Sequence, residues 1–133
     1  EFTMRDGLNT LTPAVDKAVS AFIEDINQRG MADDVLLVMT GEFGRTPRIN
    51  KNGGRDHWGS VFSFALAGAG IKAGQVYGAS DREGAYPARN RVTPADLTAT
   101  IFHLLGIDSS SVFHDPLGRE LQLTRGEPIR ELL

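Results

Sequence analysis

An apolar run, VLLVMT (Val35 to Thr40), constrains the fold of this chain more than any other feature. It has no polar alternation, which is typical of a strand covered on both faces. A helix is predicted before it, because Thr12-Pro13 offers an N-cap followed by proline at the first helical position, and Gly30 offers a C-terminal stop. A helix, a short connection and a buried strand predict an α/β fold, layered α/β/α with a mostly parallel sheet.

Later segments extend this pattern. Val61 to Ala67 (VFSFALA) is predicted to be a neighbouring strand. Residues 75–91 are rich in turn-forming residues, which predicts an irregular segment that includes at most one short strand. Thr93 to Asp96 (TPAD) predicts a capping box that begins a second helix, which Gly106 ends. The tail, with GRELQL and then EPIRELL, predicts a short edge strand and a terminal helical turn. No internal boundary is visible, so we expect a single domain over residues 1–133.

Composition excludes several classes of protein. The chain has 133 residues, a formal net charge of -3 and no cysteine. It lacks the basic excess that a nucleic-acid backbone requires, so nucleic acid is not an expected partner. Without cysteine there is no thiolate metal site, and oxygen and imidazole ligands remain. No apolar stretch approaches a membrane span. The chain begins with Glu1, so we expect it to be a piece of a longer protein.

The loop that follows the apolar run, TGEFGRTPRINKNGGRDHWG (residues 40–59), contains the candidate metal ligands. In open α/β sheets, ligands bind beyond the carboxyl ends of strands. Glu42 lies two residues past such an end, and Asp56-His57 offers an oxygen beside an imidazole. This mixture suits Zn, Mn or Fe better than Ca. Glu42, Asp56 and His57 are therefore predicted to bind a divalent metal.

The same loop is rich in cations. Residues 41–58 contain four of them, Arg45, Arg48, Lys51 and Arg55, against two carboxylates, a local balance of +2. Guanidinium groups match tetrahedral oxyanions in two-point hydrogen bonds. Arg45, Arg48 and Arg55 are thus predicted to bind a phosphate or sulfate ester beside the metal.

Structural interpretations of these residues are also open. Glu42 could pair with Arg45 or Arg55 to order the loop. Trp58 is predicted to form a wall, with its N–H bonded and its ring packed on Phe62 or Phe64. The remaining histidines, His103 and His114, are predicted to be ordinary surface residues.

The loop sequence, followed by AGAGIKAG, resembles bacterial domain-of-unknown-function family 1501. The resemblance runs from about Leu11 to Leu133. That family is usually exported and is distantly similar to the alkaline phosphatase superfamily, which includes sulfatases and phosphosugar mutases. The resemblance implies the C-terminal part of an alkaline-phosphatase-like domain and, by analogy with the family, a periplasmic or extracellular location.

The superfamily also implies roles for residues. In the mutases a strand ends in Asp-His-Gly and a later loop carries Thr-Asp-His. Glu42-Phe43-Gly44 and Arg55-Asp56-His57 stand at these places here. Glu42 and His57 are then implied metal ligands, and Asp56 a hydrogen-bonding partner or a direct ligand. Phe43 replaces a histidine ligand, so one metal position is expected to be lost or differently built.

Two functions remain open from the sequence. The first is the C-terminal part of a metal-dependent phosphate- or sulfate-ester hydrolase or transferase. Its nucleophile and N-terminal ligands would precede Glu1, so this chain alone is expected to be inactive. The alternative is a non-catalytic relative that binds an anionic ligand, such as a sulfated or phosphorylated sugar, or a partner protein. Phe43 and Trp58 favour the alternative, because they place aromatic surface where metal ligands are needed.

We also expect the chain to self-associate through unpaired strand edges and bare apolar surface.

Overall fold

The computed structural model describes residues 3–133, which form two compact units. The first unit contains the residues up to Ala69 together with Ala79–Arg89, and the second contains Gly70–Gly78 together with Asn90–Leu133. The first unit has one helix and six short strands: α1 Met4–Gln28, β1 Leu37–Met39, β2 Gly44–Arg45, β3 His57–Trp58, β4 Ala65–Ala67, β5 Ala79–Ser80 and β6 Pro87–Arg89. The second unit has one helix, two strands and a 3-10 turn: α2 Pro94–Leu104, β7 Val112–His114, β8 Glu120–Gln122 and the turn Arg130–Leu132.

Helix α1 begins nine residues before the predicted start. Thr3 is its N-cap, and Thr3 and Asp6 form a reciprocal capping box. Pro13 lies inside the helix, so the prediction that the helix begins at Thr12-Pro13 is wrong. The upstream capping box satisfies the first free N–H groups, and the helix continues past Pro13 without the backbone bond that proline cannot donate. The predicted stop at Gly30 is confirmed, since Gly30 has a φ of 68° and follows the C-cap.

The predicted α/β/α layering with a mostly parallel sheet is wrong. The strands of the described residues form four two-stranded sheets, and every pair is antiparallel. The two apolar runs do lie side by side as predicted, but β1 pairs with β4 in antiparallel register, with Val38 opposite Leu66. A parallel pair needs a crossover connection, usually a helix, whereas an antiparallel pair does not. No helix lies between β1 and β4.

Strand β1 is also less buried than its sequence predicts. All three of its residues are half-buried, so the expectation of a strand covered on both faces is wrong. A two-stranded sheet leaves an open edge on each strand, and it buries less side-chain surface than a layered sheet does. The buried apolar residues of this unit are Ile26 and Ala85.

In the second unit, local signals predicted α2 and the tail, whereas strand β7 was not predicted. Thr93 and Asp96 form the predicted capping box of α2, and Gly106, with a φ of 72°, follows its C-cap. Strand β8 and the 3-10 turn confirm the predicted edge strand and terminal helical turn. Ala99, Thr100 and Ile129 are its buried residues. Neither helix of the described chain combines the length and apolar character needed to cross a membrane.

Candidate functional site

The predicted loop is organised around the β2–β3 hairpin. Gly44 pairs with Trp58 and Arg45 with His57. The pairing continues one residue further, where the Thr46 amide donates to the Asp56 carbonyl at 2.9 Å and the Asp56 amide donates to the Thr46 hydroxyl at 3.1 Å. Residues 44–46 and 56–58 are therefore held together by hydrogen bonds between pairs that lie ten to fourteen positions apart in sequence.

Asn50 closes the turn of this hairpin. Its side-chain oxygen accepts hydrogen bonds from the amides of Asn52 and Gly54, at 3.0 and 3.1 Å. Its side-chain nitrogen donates to Asp56 Oδ1 at 2.9 Å. Gly53 supplies the left-handed turn position, with a φ of 72°. One amide side chain thus holds both the turn and the Asp56 carboxylate.

Arg45 and Arg55 are linked reciprocally across the hairpin. Arg55 Nη2 donates to the Arg45 carbonyl at 3.0 Å, and Arg45 Nη1 donates to the Arg55 carbonyl at 3.4 Å. Arg55 Nε also donates to the Thr46 carbonyl. Each guanidinium is therefore bonded to the backbone of the segment that bears the other.

The Arg45 face of the hairpin also has two stacked rings. The rings of Phe43 and His57 stack with centroids 3.9 Å apart and an angle of 30° between their planes. The guanidinium carbon of Arg45 lies 5.7 Å from the centroid of the Phe43 ring, within the range of a cation–π interaction. Phe43 therefore contacts both the imidazole and the guanidinium.

Trp58 anchors the loop to the β5–β6 hairpin. Its indole N–H donates to the Ala85 carbonyl at 2.6 Å, and its ring meets Tyr86 edge-on at 5.7 Å. Asp81 fixes this acceptor segment, because its carboxylate accepts from the amides of Ala85 and Tyr86. The hydrogen bond of the indole N–H was predicted. The predicted ring partner was Phe62 or Phe64, whereas the ring in contact is that of Tyr86. Opposite Trp58, Gly44 is required, because a Cβ there would collide with the Val61 carbonyl.

The predicted metal ligands have separate surroundings. The Glu42 side chain is exposed and makes no hydrogen bond or ion pair with the residues that the structure describes, so the alternative pairing with Arg45 or Arg55 is not formed there. Asp56 is bonded to Asn50, and His57 is stacked on Phe43. Within residues 3–133, no three His, Asp or Glu side chains group closely enough to hold a metal ion. These donors do not form a preformed three-ligand centre, and the metal assignment stays a prediction.

Of the predicted oxyanion-binding residues, the hairpin brings together Arg45 and Arg55. Arg48 is exposed, and its carbonyl accepts from the Thr46 hydroxyl at 3.0 Å. No ion pair of the described residues contains any of these three arginines. The arrangement can present positive charge to an anion, with an imidazole beside it.

The model of one protein family, described as "Protein of unknown function (DUF1501)", matches residues 3–133. The chain belongs to the DUF1501 family. No match was found among curated proteins or among solved structures. The match covers both compact units of this DUF1501 chain, and it confirms the family that the loop sequence suggested.

Two residues that organise this DUF1501 loop were missed from the sequence. Phe43 appeared there as a lost ligand and as aromatic surface, whereas in the structure its ring contacts both His57 and Arg45. Asn50 was not considered, although an asparagine shortly before Asn-Gly-Gly is a signal for a side chain that bonds backbone amides two residues on. The Phe43 contact had no local signal, because its partner lies fourteen residues away.

Proposed function

We propose that the loop of residues 41–59 binds a phosphate- or sulfate-bearing small molecule or glycan through Arg45 and Arg55. The observation that supports this most is that each guanidinium donates to the backbone carbonyl of the other arginine across the β2–β3 hairpin. A guanidinium has five N–H donors. Arg55 uses two of its donors, so three remain for an oxyanion. Arg45 uses one, so four remain.

Electrostatics supports the same ligand class. Two positive groups held near each other repel, and no carboxylate of the described residues forms an ion pair with either. A phosphate or sulfate group between them would offset that repulsion, and its oxygens match the planar donors of a guanidinium. The contacts to backbone carbonyls hold both side chains in place, which lowers the entropy cost of ligand binding.

The stacked rings support an organic ester over a free inorganic anion. Phe43 and His57 form a stacked pair of rings beside Arg45. Aromatic faces contribute contact area to a bound sugar or aryl group, while the imidazole offers a polar nitrogen. The ester's charged group would lie on the arginines and its organic part on the rings.

A metal-dependent phosphate- or sulfate-ester hydrolase or transferase is the second candidate. The free, exposed carboxylate of Glu42 favours it, because its oxygens are not used by the described residues. This second candidate assumes that the family is distantly similar to the alkaline phosphatase superfamily. It also assumes that the metal is Zn or Mn and that the protein is exported. The separate surroundings of Asp56 and His57 support binding more than hydrolysis.

The experiment that tests these candidates measures binding and turnover on one sample. The protein is titrated calorimetrically with 4-nitrophenyl sulfate and 4-nitrophenyl phosphate, and the release of 4-nitrophenol is followed with and without added Zn²⁺ or Mn²⁺. We expect saturable binding that weakens as salt is raised, since salt screens exposed charges. Binding without 4-nitrophenol release supports the anion-binding function, release that depends on metal supports the hydrolase, and absence of both contradicts the proposal.

Self-association is a further part of the proposal. Leu8, Leu11 and Val15 lie on one side of α1 and are 58%, 66% and 48% exposed. Residues three and four apart share a helix face, so these side chains form one apolar surface. The open edges of the two-stranded sheets add unpaired backbone groups. Both features favour contact between copies of the chain.

A further inference from the structure

The second unit contains a cavity that the proposed anion site does not use. It has a volume of about 210 Å³ and lies where the start of α2 meets the returning tail. Its lining includes Tyr77, Arg91, Asp96, Glu127, Ile129 and Glu131. This volume is below the roughly 300–1,000 Å³ of pockets for drug-sized ligands, so it suits a smaller molecule.

One of the acidic groups in this cavity has a structural role. Asp96 Oδ2 accepts from the Thr93 amide and hydroxyl at 2.8 and 2.7 Å, and its Oδ1 accepts from the Glu127 amide at 3.0 Å. Its oxygens are therefore committed to the helix cap and the tail. Ile129, which is 5% exposed, adds apolar surface. These two residues form the fixed part of the cavity.

The other charged groups of this cavity are exposed side chains of both signs. Arg91, Glu127 and Glu131 are exposed, and none of them belongs to an ion pair of residues 3–133. Opposite charges that line one cavity without pairing leave room for a molecule that satisfies both. Partial burial, the negative charge of Glu131 and a hydrogen bond to that carboxylate raise the pKa of Tyr77 above its ordinary value, so Tyr77 belongs to the Glu131 side of the cavity.

We propose that this cavity binds a small zwitterion, a molecule the size of a free amino acid with an ammonium group and a carboxylate. The ammonium would bind between Glu127 and Glu131, whose carboxylate is held by the Tyr77 hydroxyl, and the carboxylate would bind Arg91. Charge-assisted hydrogen bonds at both ends would select against molecules that carry only one of the two charges.

A chain-length series of zwitterions tests this inference. Calorimetry or NMR titration of the whole chain with ω-amino acids, from glycine to 6-aminohexanoate, should find one length that binds best. The amine and the carboxylic acid of the same length should bind at least tenfold more weakly. Binding of none of the series at millimolar concentration, or equal binding of the single-charge analogues, would overturn the inference.

Variants then assign the binding to this cavity. Glu131→Gln and Arg91→Gln should each weaken binding of the best zwitterion at least tenfold, and Tyr77→Phe should weaken it less. The controls are Glu83→Gln and Arg82→Gln, two exposed residues of the first unit that should leave binding unchanged. Far-UV circular dichroism checks that each variant is folded. If folded Glu131→Gln and Arg91→Gln bind as the wild type does, the ligand lies elsewhere and the inference is wrong.

Discussion

Arg45 and Arg55 each donate a hydrogen bond to the carbonyl of the other across the β2–β3 hairpin. The pair differs from an ordinary surface ion pair, because both groups are positive and the bonds go to backbone oxygens. Such bonds fix the positions of the side chains and leave their charges uncompensated. The hairpin thus holds guanidinium donors that are already ordered, which is what the proposed oxyanion site requires.

The first prediction concerns this pair. Arg45→Gln should weaken binding of 4-nitrophenyl sulfate about tenfold, equivalent to about 1.4 kcal/mol, because it removes a charge and most of the free donors. Arg55→Gln should have a similar or larger effect, since it also loses two bonds to the hairpin backbone. Calorimetric titration measures both. Arg82→Gln is the matched control, and an equal loss of affinity in that variant would show that general charge accounts for binding.

A second prediction concerns the buried hydroxyl of Thr100, which is 0% exposed. It donates to the Asp96 carbonyl at 2.7 Å and accepts from the Ile129 amide at 3.0 Å. Thr100→Val leaves that amide without its partner, so the free energy of unfolding should fall by about 1–3 kcal/mol. Urea denaturation measures this quantity.

Thr98 provides the control for that measurement. Its hydroxyl makes the same kind of bond, to the carbonyl four residues earlier at 2.9 Å, but from a less buried position. Thr98→Val should therefore change the free energy of unfolding by less than about 0.5 kcal/mol. Equal losses in the two variants would mean that helix propensity, and not the contact with the tail, explains the effect of Thr100→Val.

The elements that the sequence predicted correctly depend on local signals. Thr93 and Asp96 are three residues apart. Gly30 and Gly106 each end the helix that directly precedes them. Capping at Thr3 was missed because Thr12-Pro13 offers an equally good local start. A local pattern cannot decide between two starts when the residues between them are also compatible with a helix.

The direction of strand pairing depends on contacts that are distant in sequence. The apolar runs of β1 and β4 were recognised, but apolar content does not distinguish a parallel from an antiparallel partner. For the site, the guanidinium-rich loop was visible in the sequence, and so was Trp58. The stacking of Phe43 on His57 was not, because it follows from the register of β2 against β3.

A third prediction follows from Asp96. Burial acts to raise its pKa, but hydrogen bonds from Glu127 and Thr93 and the charge of Arg91 together lower it below the ordinary value of 3.8. A carboxyl group whose pKa is lower in the folded state stabilises the fold above its unfolded pKa, and this contribution is lost as the pH falls through the folded pKa. The wild type should therefore exceed Asp96→Asn in stability by a constant amount above about pH 5, and the difference should shrink below pH 3.8.

Urea denaturation of both proteins between pH 7 and pH 2.5 measures that difference. Asp108→Asn is a suitable comparison, because the pKa of Asp108 is also lowered, in this case by the hydroxyl and amide of Ser110, but that carboxylate contacts no distant part of the tail. A stability difference for Asp96→Asn that does not vary with pH would contradict the prediction.

The last prediction concerns contact between copies of the chain through α1. Leu11 is 66% exposed, and burying it against a second copy would remove apolar surface from water. Leu11→Glu places a charge on that surface, so it should shift the molecule toward the monomer in sedimentation velocity over a concentration series. Ser20→Glu adds the same charge nine residues later, which is two and a half turns and therefore the opposite side of the helix. That variant should associate as the wild type does. A wild-type chain that stays monomeric at every concentration, or an equal effect of the two variants, would exclude α1 as the contact surface.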